Sequence, residues 1–243
     1  MKKTRIDKLL VRRGLVETRE RARALIMAGD VLVENEPVTK AGAGVDDIAN
    51  IRLRRPTHPY VGRGGVKLQG AVDALGLDPK GKTCADIGSS TGGFTDCLLQ
   101  NGVNHIYAVD VDTSQLDWKL RSDPRVTLVE GNARYMSPDW IPELLDLVTV
   151  DVAFISVTKI VVQVPPLLRP GGQCLLLVKP QFELGPDKVG KGGIVLEPSL
   201  HREAVQSVVT VAAETEMVLR GRCPSPITGK EGNQEFFVLF ERP

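Results

Sequence analysis

The stretch Thr83-Cys84-Ala85-Asp86-Ile87, followed by Gly88-Ser89-Ser90-Thr91-Gly92-Gly93-Phe94, decides the fold. Its first five residues form a short apolar run suited to a strand buried on both faces, and the glycine-rich turn then opens a helix near Phe94. Working outward, Leu68, Ala71, Val72 and Leu75 fall at helical spacing ahead of the turn residues Asp78-Pro79-Lys80-Gly81. Downstream, His105–Asp110, Val126–Glu130, Leu147–Asp151 and Gln173–Lys179 each read as strands, separated by segments long enough for helical crossovers. Strands alternating with helices predict an α/β domain whose sheet is mostly parallel and covered on both faces.

The turn between the first strand and its helix carries the first functional signal. Its glycines are spaced G-x-x-x-G-G, whereas a dinucleotide-binding turn is spaced G-x-G-x-x-G and cradles a pyrophosphate. Asp86 at the loop mouth suits a ligand bearing positive charge, and Gly88, Gly92 and Gly93 let backbone approach closely. Asp110 ends the neighbouring strand, where a carboxylate can bind both hydroxyls of a ribose. Asn132, just after the third strand, is placed for the adenine side. A sulfonium cation joined to an adenosine, as in S-adenosylmethionine (SAM), fits this set better than a nucleotide phosphate. Each residue also has a plainer use: the glycines permit a tight turn, Asp110 can cap a helix, and Asn132 can sit in a turn.

The chain's charge is unevenly spread. Residues 1–60 hold 13 Lys and Arg against 8 Asp and Glu, a surplus of five, while the remainder holds 18 against 22. A compact basic segment beside a mildly acidic domain points to a polyanionic partner or to a solvated helical surface. In that segment Ile6, Leu9 and Leu10 make one short helix ended by Gly14. A second begins at Thr18, an N-cap residue, buries Ala22, Leu25 and Ile26, and places Arg19 and Arg23 on one face. Val31-Leu32-Val33, a turn through Glu34-Asn35-Glu36-Pro37, and Val38 read as a small hairpin, to which Ile51-Arg52-Leu53 adds a strand. From about Thr4 to Leu53 this order resembles the αL-type RNA-binding module first known from a small-subunit ribosomal protein. The resemblance implies RNA-backbone contacts for Arg12, Arg13, Arg19 and Arg23. At the hairpin tip the family usually has Asn-Gly, and this chain has Glu34-Asn35. The expected limits are a module over 1–55, a proline-bearing linker over 56–65, and the α/β domain over 66–243.

Composition excludes several classes. Cys84, Cys97, Cys174 and Cys223 form no paired motif, so neither a metal site nor a disulfide framework is expected. His58, His105 and His201 lack partners at ligand spacing. Arg12, Arg13 and Glu17 interrupt any leader-like apolar run, and no run nears the roughly 18 apolar residues of a spanning helix. The expectation is a cytoplasmic protein with no membrane partner. Asp187, Lys188, Lys191, Gly192 and Gly193 lie in a polar loop that reads either as a flap over substrate or as a surface excursion.

Asp86-Ile87-Gly88-Ser89-Ser90-Thr91-Gly92-Gly93-Phe94-Thr95-Asp96 resembles the SAM loop of the FtsJ-like RNA ribose methyltransferases. Joined to the basic module, it resembles the arrangement of the TlyA family, often labelled hemolysin A. Further similar stretches are Gly62-Arg63-Gly64-Gly65-Val66-Lys67-Leu68, Val178-Lys179-Pro180-Gln181-Phe182-Glu183, and Gly229-Lys230-Glu231-Gly232-Asn233-Gln234-Glu235-Phe236. Gly62 stands where a serine is usual. The resemblance implies a Rossmann-like sheet whose last strand is antiparallel, and a SAM site that includes Ser89, Ser90 and Phe94. It further implies a catalytic set of Lys67, Asp151, Lys179 and Glu235. The implied reaction is 2′-O-methylation of ribosomal RNA at cytidine, yielding S-adenosylhomocysteine without a metal. Ribosomal RNA or ribosomal subunits are the implied partners, with no obligate protein partner evident. After the fourth strand, Asp151-Val152-Ala153-Phe154 lacks the Pro-Pro-aromatic signature of base-amine methyltransferases, which favours an oxygen acceptor. Two alternatives are a SAM- and RNA-binding assembly factor without catalysis and a cytolysin. The absence of export and spanning segments argues against the second.

Overall fold

The computed structural model describes residues 3–16, 18–54, 58–229 and 231–243. The chain divides into two compact units, residues 1–59 and 60–243.

The first unit contains β1 (Lys3–Arg5), α1 (Ile6–Arg12), α2 (Arg19–Met27), β2 (Val31–Val33), β3 (Glu36–Pro37), β4 (Gly44–Asp46) and β5 (Ile51–Leu53). Its core is Ile6, Leu9 and Leu10 of α1 against Ala22 and Ile26 of α2, closed by Val31, Val45 and Ile51. Thr18 caps α2, its hydroxyl accepting from Arg21 N at 3.1 Å. The β2–β3 turn takes φ of +50° at Glu34 and +73° at Asn35, the pairing a two-residue hairpin needs. The Glu34 carboxylate accepts from Asn50 N at 2.7 Å, tying the tip to the β4–β5 connection. The β1–β4 pair was not expected: runs of three residues are too short to show alternation.

The second unit contains α3 (Arg63–Leu75), β6 (Thr83–Ile87), α4 (Gly93–Gln100), β7 (His105–Asp110), α5 (Trp118–Arg121), β8 (Val126–Glu130), β9 (Leu145–Val150), α6 (Thr158–Val161), β10 (Leu168–Val178), α7 (Pro180–Glu183), α8 (Pro198–Ala213), β11 (Val218–Pro224) and β12 (Phe236–Glu241). Its seven strands lie in the order β11-β12-β10-β9-β6-β7-β8. The five from β10 to β8 are parallel, and β12 runs antiparallel between β10 and β11. Alternate strand residues face opposite sides. Cys84, Ile106, Leu147, Leu175 and Leu177 pack against α3 and α4. Ala85, Val109, Val148, Leu176 and Val238 pack against α6 and α8. α3 begins at Arg63, inside the span expected as linker, because the glycines there are packing residues as much as flexible ones. A Cβ on Gly93 would come within 3.0 Å of the Gly64 Cα, so the starts of α3 and α4 touch backbone to backbone. Pro56 and Thr57 of the expected linker lie outside the described residues.

Strand order places the functional edge. From β6 the chain steps outward to β7 and β8, then returns to β9 on the other side of β6. Ligand crevices in such sheets open at that reversal, beyond the strands' carboxyl ends.

Candidate active site

A cavity of about 310 Å³ opens where this topology puts it, within the size range of small-molecule sites. Gly88, Ser90, Asp110, Asn132 and Asp151 all line it, as do Val111, Arg134 and Phe154. Gly88 has φ +85°, and a Cβ there would lie 2.3 Å from the Asp151 carbonyl oxygen. Only glycine lets the loop pass so close to the end of β9. Ser90 adopts φ +47°, uncommon without glycine, and directs its N–H at Asp110 Oδ2 at 2.8 Å. Asp112 N donates to the other oxygen at 3.2 Å. A carboxylate has about four acceptor sites, so Asp110 keeps capacity toward the cavity. A ribose diol fits that capacity. Asn132 Oδ1 accepts from Arg134 N at 3.0 Å, which fixes its side chain at the cavity wall.

Asp86, expected at the loop mouth to suit a positive ligand, does not line the cavity. It is fully buried and accepts from Thr95 Oγ1 at 2.7 Å and Thr149 Oγ1 at 3.1 Å. Thr149 is its register partner on β9, so the carboxylate ties β6, β9 and α4 together beneath the loop. Burial raises its carboxyl to about 7, with the two threonine hydrogen bonds opposing. Ser89, Gly92, Gly93 and Phe94 likewise stand behind the loop and do not line the cavity. Phe94 is 3 % exposed and packs 6.0 Å from Phe237, centroid to centroid. Gly92 gives room to Leu116 and Leu120. The loop pattern thus marked both the wall and its backing, which sequence spacing alone does not separate.

Lys67, Asp151, Lys179 and Glu235 come to one edge of the sheet as two ion pairs. Lys179 Nζ lies 2.5 Å from Asp151 Oδ1 and donates to the Val152 carbonyl at 2.9 Å. Lys67 Nζ lies 2.5 Å from Glu235 Oε2, with both side chains almost wholly buried. Register explains the convergence. Val178 pairs with Phe236 across β10 and β12, and Leu176 with Val150 across β10 and β9. Lys179, the residue after β10, is therefore level with Glu235 before β12 and two positions beyond the level of Asp151, a gap its long side chain spans. The polar loop after α7 is tied down at its far end: buried Asn233 donates to the Gly193 carbonyl and accepts from Val195 N, each at 2.8 Å.

In the first unit the expected arginines serve internal partners as well as solvent. Arg19 Nη2 lies 2.8 Å and Arg23 Nε 3.6 Å from Asp7 Oδ2, and Arg5 lies 3.1 Å from the same oxygen. These guanidinium side chains stay about half exposed while the Asp7 carboxylate is buried. Arg5 first, and then Arg19, hold the Asp7 carboxyl well below the usual carboxylate range. Arg12 pairs with Asp47 at 2.9 Å, and Arg13 donates to the Ala49 carbonyl at 2.7 Å. Arg5 and Asp7 were missed by sequence reading, since their link to α2 spans 12 residues from Asp7 to Arg19.

Residues 60–242 match the family model of FtsJ-like methyltransferases, and residues 4–47 match the S4 domain. The chain belongs to the FtsJ-like methyltransferase family. Over 100% of this chain and 87% of its own length, YqxC of Bacillus subtilis is 45% identical. The 16S/23S rRNA (cytidine-2'-O)-methyltransferase TlyA of Mycobacterium tuberculosis is 39% identical over 98% of this chain and 89% of its own. A solved structure from Streptococcus thermophilus, bearing a hemolysin label, superposes with a TM-score of 0.76 at 42% identity, covering 100% of this chain and 89% of that one. Among the described residues, no helix of the methyltransferase chain is long and apolar enough to cross a membrane.

Proposed function

We propose that the chain transfers a methyl group from SAM to the 2′-hydroxyl of a cytidine ribose in ribosomal RNA. The observation that carries this reading is the Lys179–Asp151 ion pair, whose Asp151 lines the same cavity as Asp110 and Asn132 while Lys179 stands behind it. The S4 match and the rRNA-modifying relative support the nucleic-acid substrate.

In this reading Asp110 binds the ribose diol of SAM, Asn132 meets its adenine, and the backbone at Gly88 lies against it. Bound SAM supplies a methyl carbon made electrophilic by its sulfonium. The protein's own task is to orient a weakly acidic hydroxyl and stabilise the charge that grows on oxygen. Lys179 has three N–H donors; one reaches the Val152 carbonyl, and the ammonium pairs with the Asp151 carboxylate. The remaining N–H capacity can face the 2′-oxygen, the hydroxyl proton passing to solvent water as the methyl group is taken up, and the two partners stop the lysine from swinging away. Glu235 fixes Lys67 in the same manner on the far side of β10. Phe154, 90 % exposed at the cavity rim, offers a flat face to an unstacked base, the usual way proteins grip a single nucleotide. Arg12, Arg13, Arg19 and Arg23 provide phosphate attraction, which positions RNA without reading its sequence.

Lys179 variants test the mechanism. Lys179→Ala should lower methyl transfer by about 10²-fold or more, with SAM affinity changed by less than about 1 kcal/mol. Lys179→Arg keeps the charge but not the fit, and should retain activity above that of the alanine variant. Near-normal turnover in folded Lys179→Ala removes Lys179 from the mechanism.

A further inference from the structure

The segment from Lys179 through α7 grips the loop that follows β9 at both of its ends. Lys179 holds the start, through Asp151 and the Val152 carbonyl. Four residues later, Glu183 holds the finish: Oε1 accepts from Val157 N at 2.8 Å and Oε2 from Ser156 Oγ at 2.5 Å. Ser156 Oγ lies in turn 2.6 Å from Thr158 Oγ1 and accepts from Thr158 N, so the grip extends into the first turn of α6. Between the two holds, Phe154 adopts φ +64°, a left-handed conformation that an aromatic residue keeps only where its surroundings impose it. Its ring rests 5.6 Å from that of Phe182, the residue before Glu183. The backbone of this loop also bounds the cofactor loop, because the Asp151 carbonyl is what excludes a side chain at Gly88. Burial pushes the Glu183 carboxyl up, against the pull of the Ser156 and Val157 hydrogen bonds. A carboxylate is costly to bury, and this one directs both oxygens to one loop.

We propose that Glu183 is a positioning residue for methyl transfer, setting the 152–157 loop so that Phe154 stands at the acceptor side of the cavity while Asp151 stays aligned on Lys179. It contacts no reacting group and acts through the loop it holds. The proposal rests on the methyltransferase reading above and adds a residue to it. Glu183→Gln preserves the arrangement, since its amide oxygen can accept from Val157 N while its amide N–H donates to Ser156 Oγ. Glu183→Ala releases both.

The test compares the full-length wild type, E183Q and E183A in three measurements: calorimetric SAM binding, hydrogen exchange over residues 152–158, and steady-state methylation of ribosomal RNA. In E183A, kcat should fall by about 10- to 100-fold, the scale of a misplaced reacting group, while SAM affinity stays within about twofold of wild type. Exchange over 152–158 should quicken, and E183Q should recover most of the turnover. E183A turning over at the wild-type rate overturns the proposal. So does a loss of SAM affinity and thermal stability in step with activity that E183Q fails to rescue, because that pattern marks a general structural role. If the wild type itself methylates no RNA, the methyltransferase reading fails on its own. Exchange then decides Glu183: unchanged protection of 152–158 in E183A overturns the clamp, and faster exchange upholds it.

Discussion

Asp86 and Asp110 sit 24 positions apart on neighbouring strands and do opposite jobs. Asp110 faces the cavity, so Asp110→Ala should weaken SAM binding by about 1–3 kcal/mol, and unchanged calorimetric affinity would remove it from the cofactor site. Asp86 is sealed beneath the loop, and burial raises its carboxyl from 3.8 to about 7. The folded state therefore keeps a proton that the unfolded chain releases. This contribution to stability is complete below pH 3.8 and is lost as pH climbs through about 7. Asp86→Asn removes the titration, so the difference between urea midpoints at pH 5 and pH 8 should shrink relative to wild type. An identical pH dependence in the two proteins would show that Asp86 does not titrate in that window. Spacing made both residues visible in the sequence, but it could not show which faced ligand and which faced core. Phe154 had no signature at all. A single aromatic in a loop has no period, and its value comes from a backbone conformation and a neighbour 28 positions away at Phe182.

At the scale of elements, legibility followed the continuity of the strand-like run and not its burial, since β8 is a largely exposed edge strand. β6, β7 and β8 were readable to the residue, since each is an uninterrupted strand-like run closed by turn or acidic residues. β11 was not read, because Arg220-Gly221-Arg222 breaks its apolar pattern at the exposed edge of the sheet. The short helix α7 was also hidden, although it carries Phe182 and Glu183. Local capping, by contrast, was legible at Thr18. Thr18→Ala should cost about 1 kcal/mol and speed hydrogen exchange of the first α2 amides, with the second unit unaffected. Equal protection of those amides in both proteins would mean that packing of Ala22 and Ile26, and not the cap, holds the start of α2.

Across the whole molecule, charge separates the two units: the basic surplus lies in residues 1–60 and the acidic one in the remainder. If the S4 domain supplies electrostatic affinity, replacing Arg12, Arg19 and Arg23 with Gln in the full chain should flatten the log–log salt dependence of RNA binding by about 2 to 3. SAM binding should be unchanged. An unaltered slope would assign RNA attraction elsewhere. The claim that joins both units is that the transferred methyl ends on a ribose oxygen, and one measurement addresses it directly. Purified protein is incubated with isotopically labelled SAM and separated ribosomal subunits, the RNA is digested, and the label is traced to a nucleoside and to an atom. The account predicts label on the 2′-oxygen of a cytidine, abolished with Lys179→Ala; label on a base, or none on any ribosomal RNA, would contradict it.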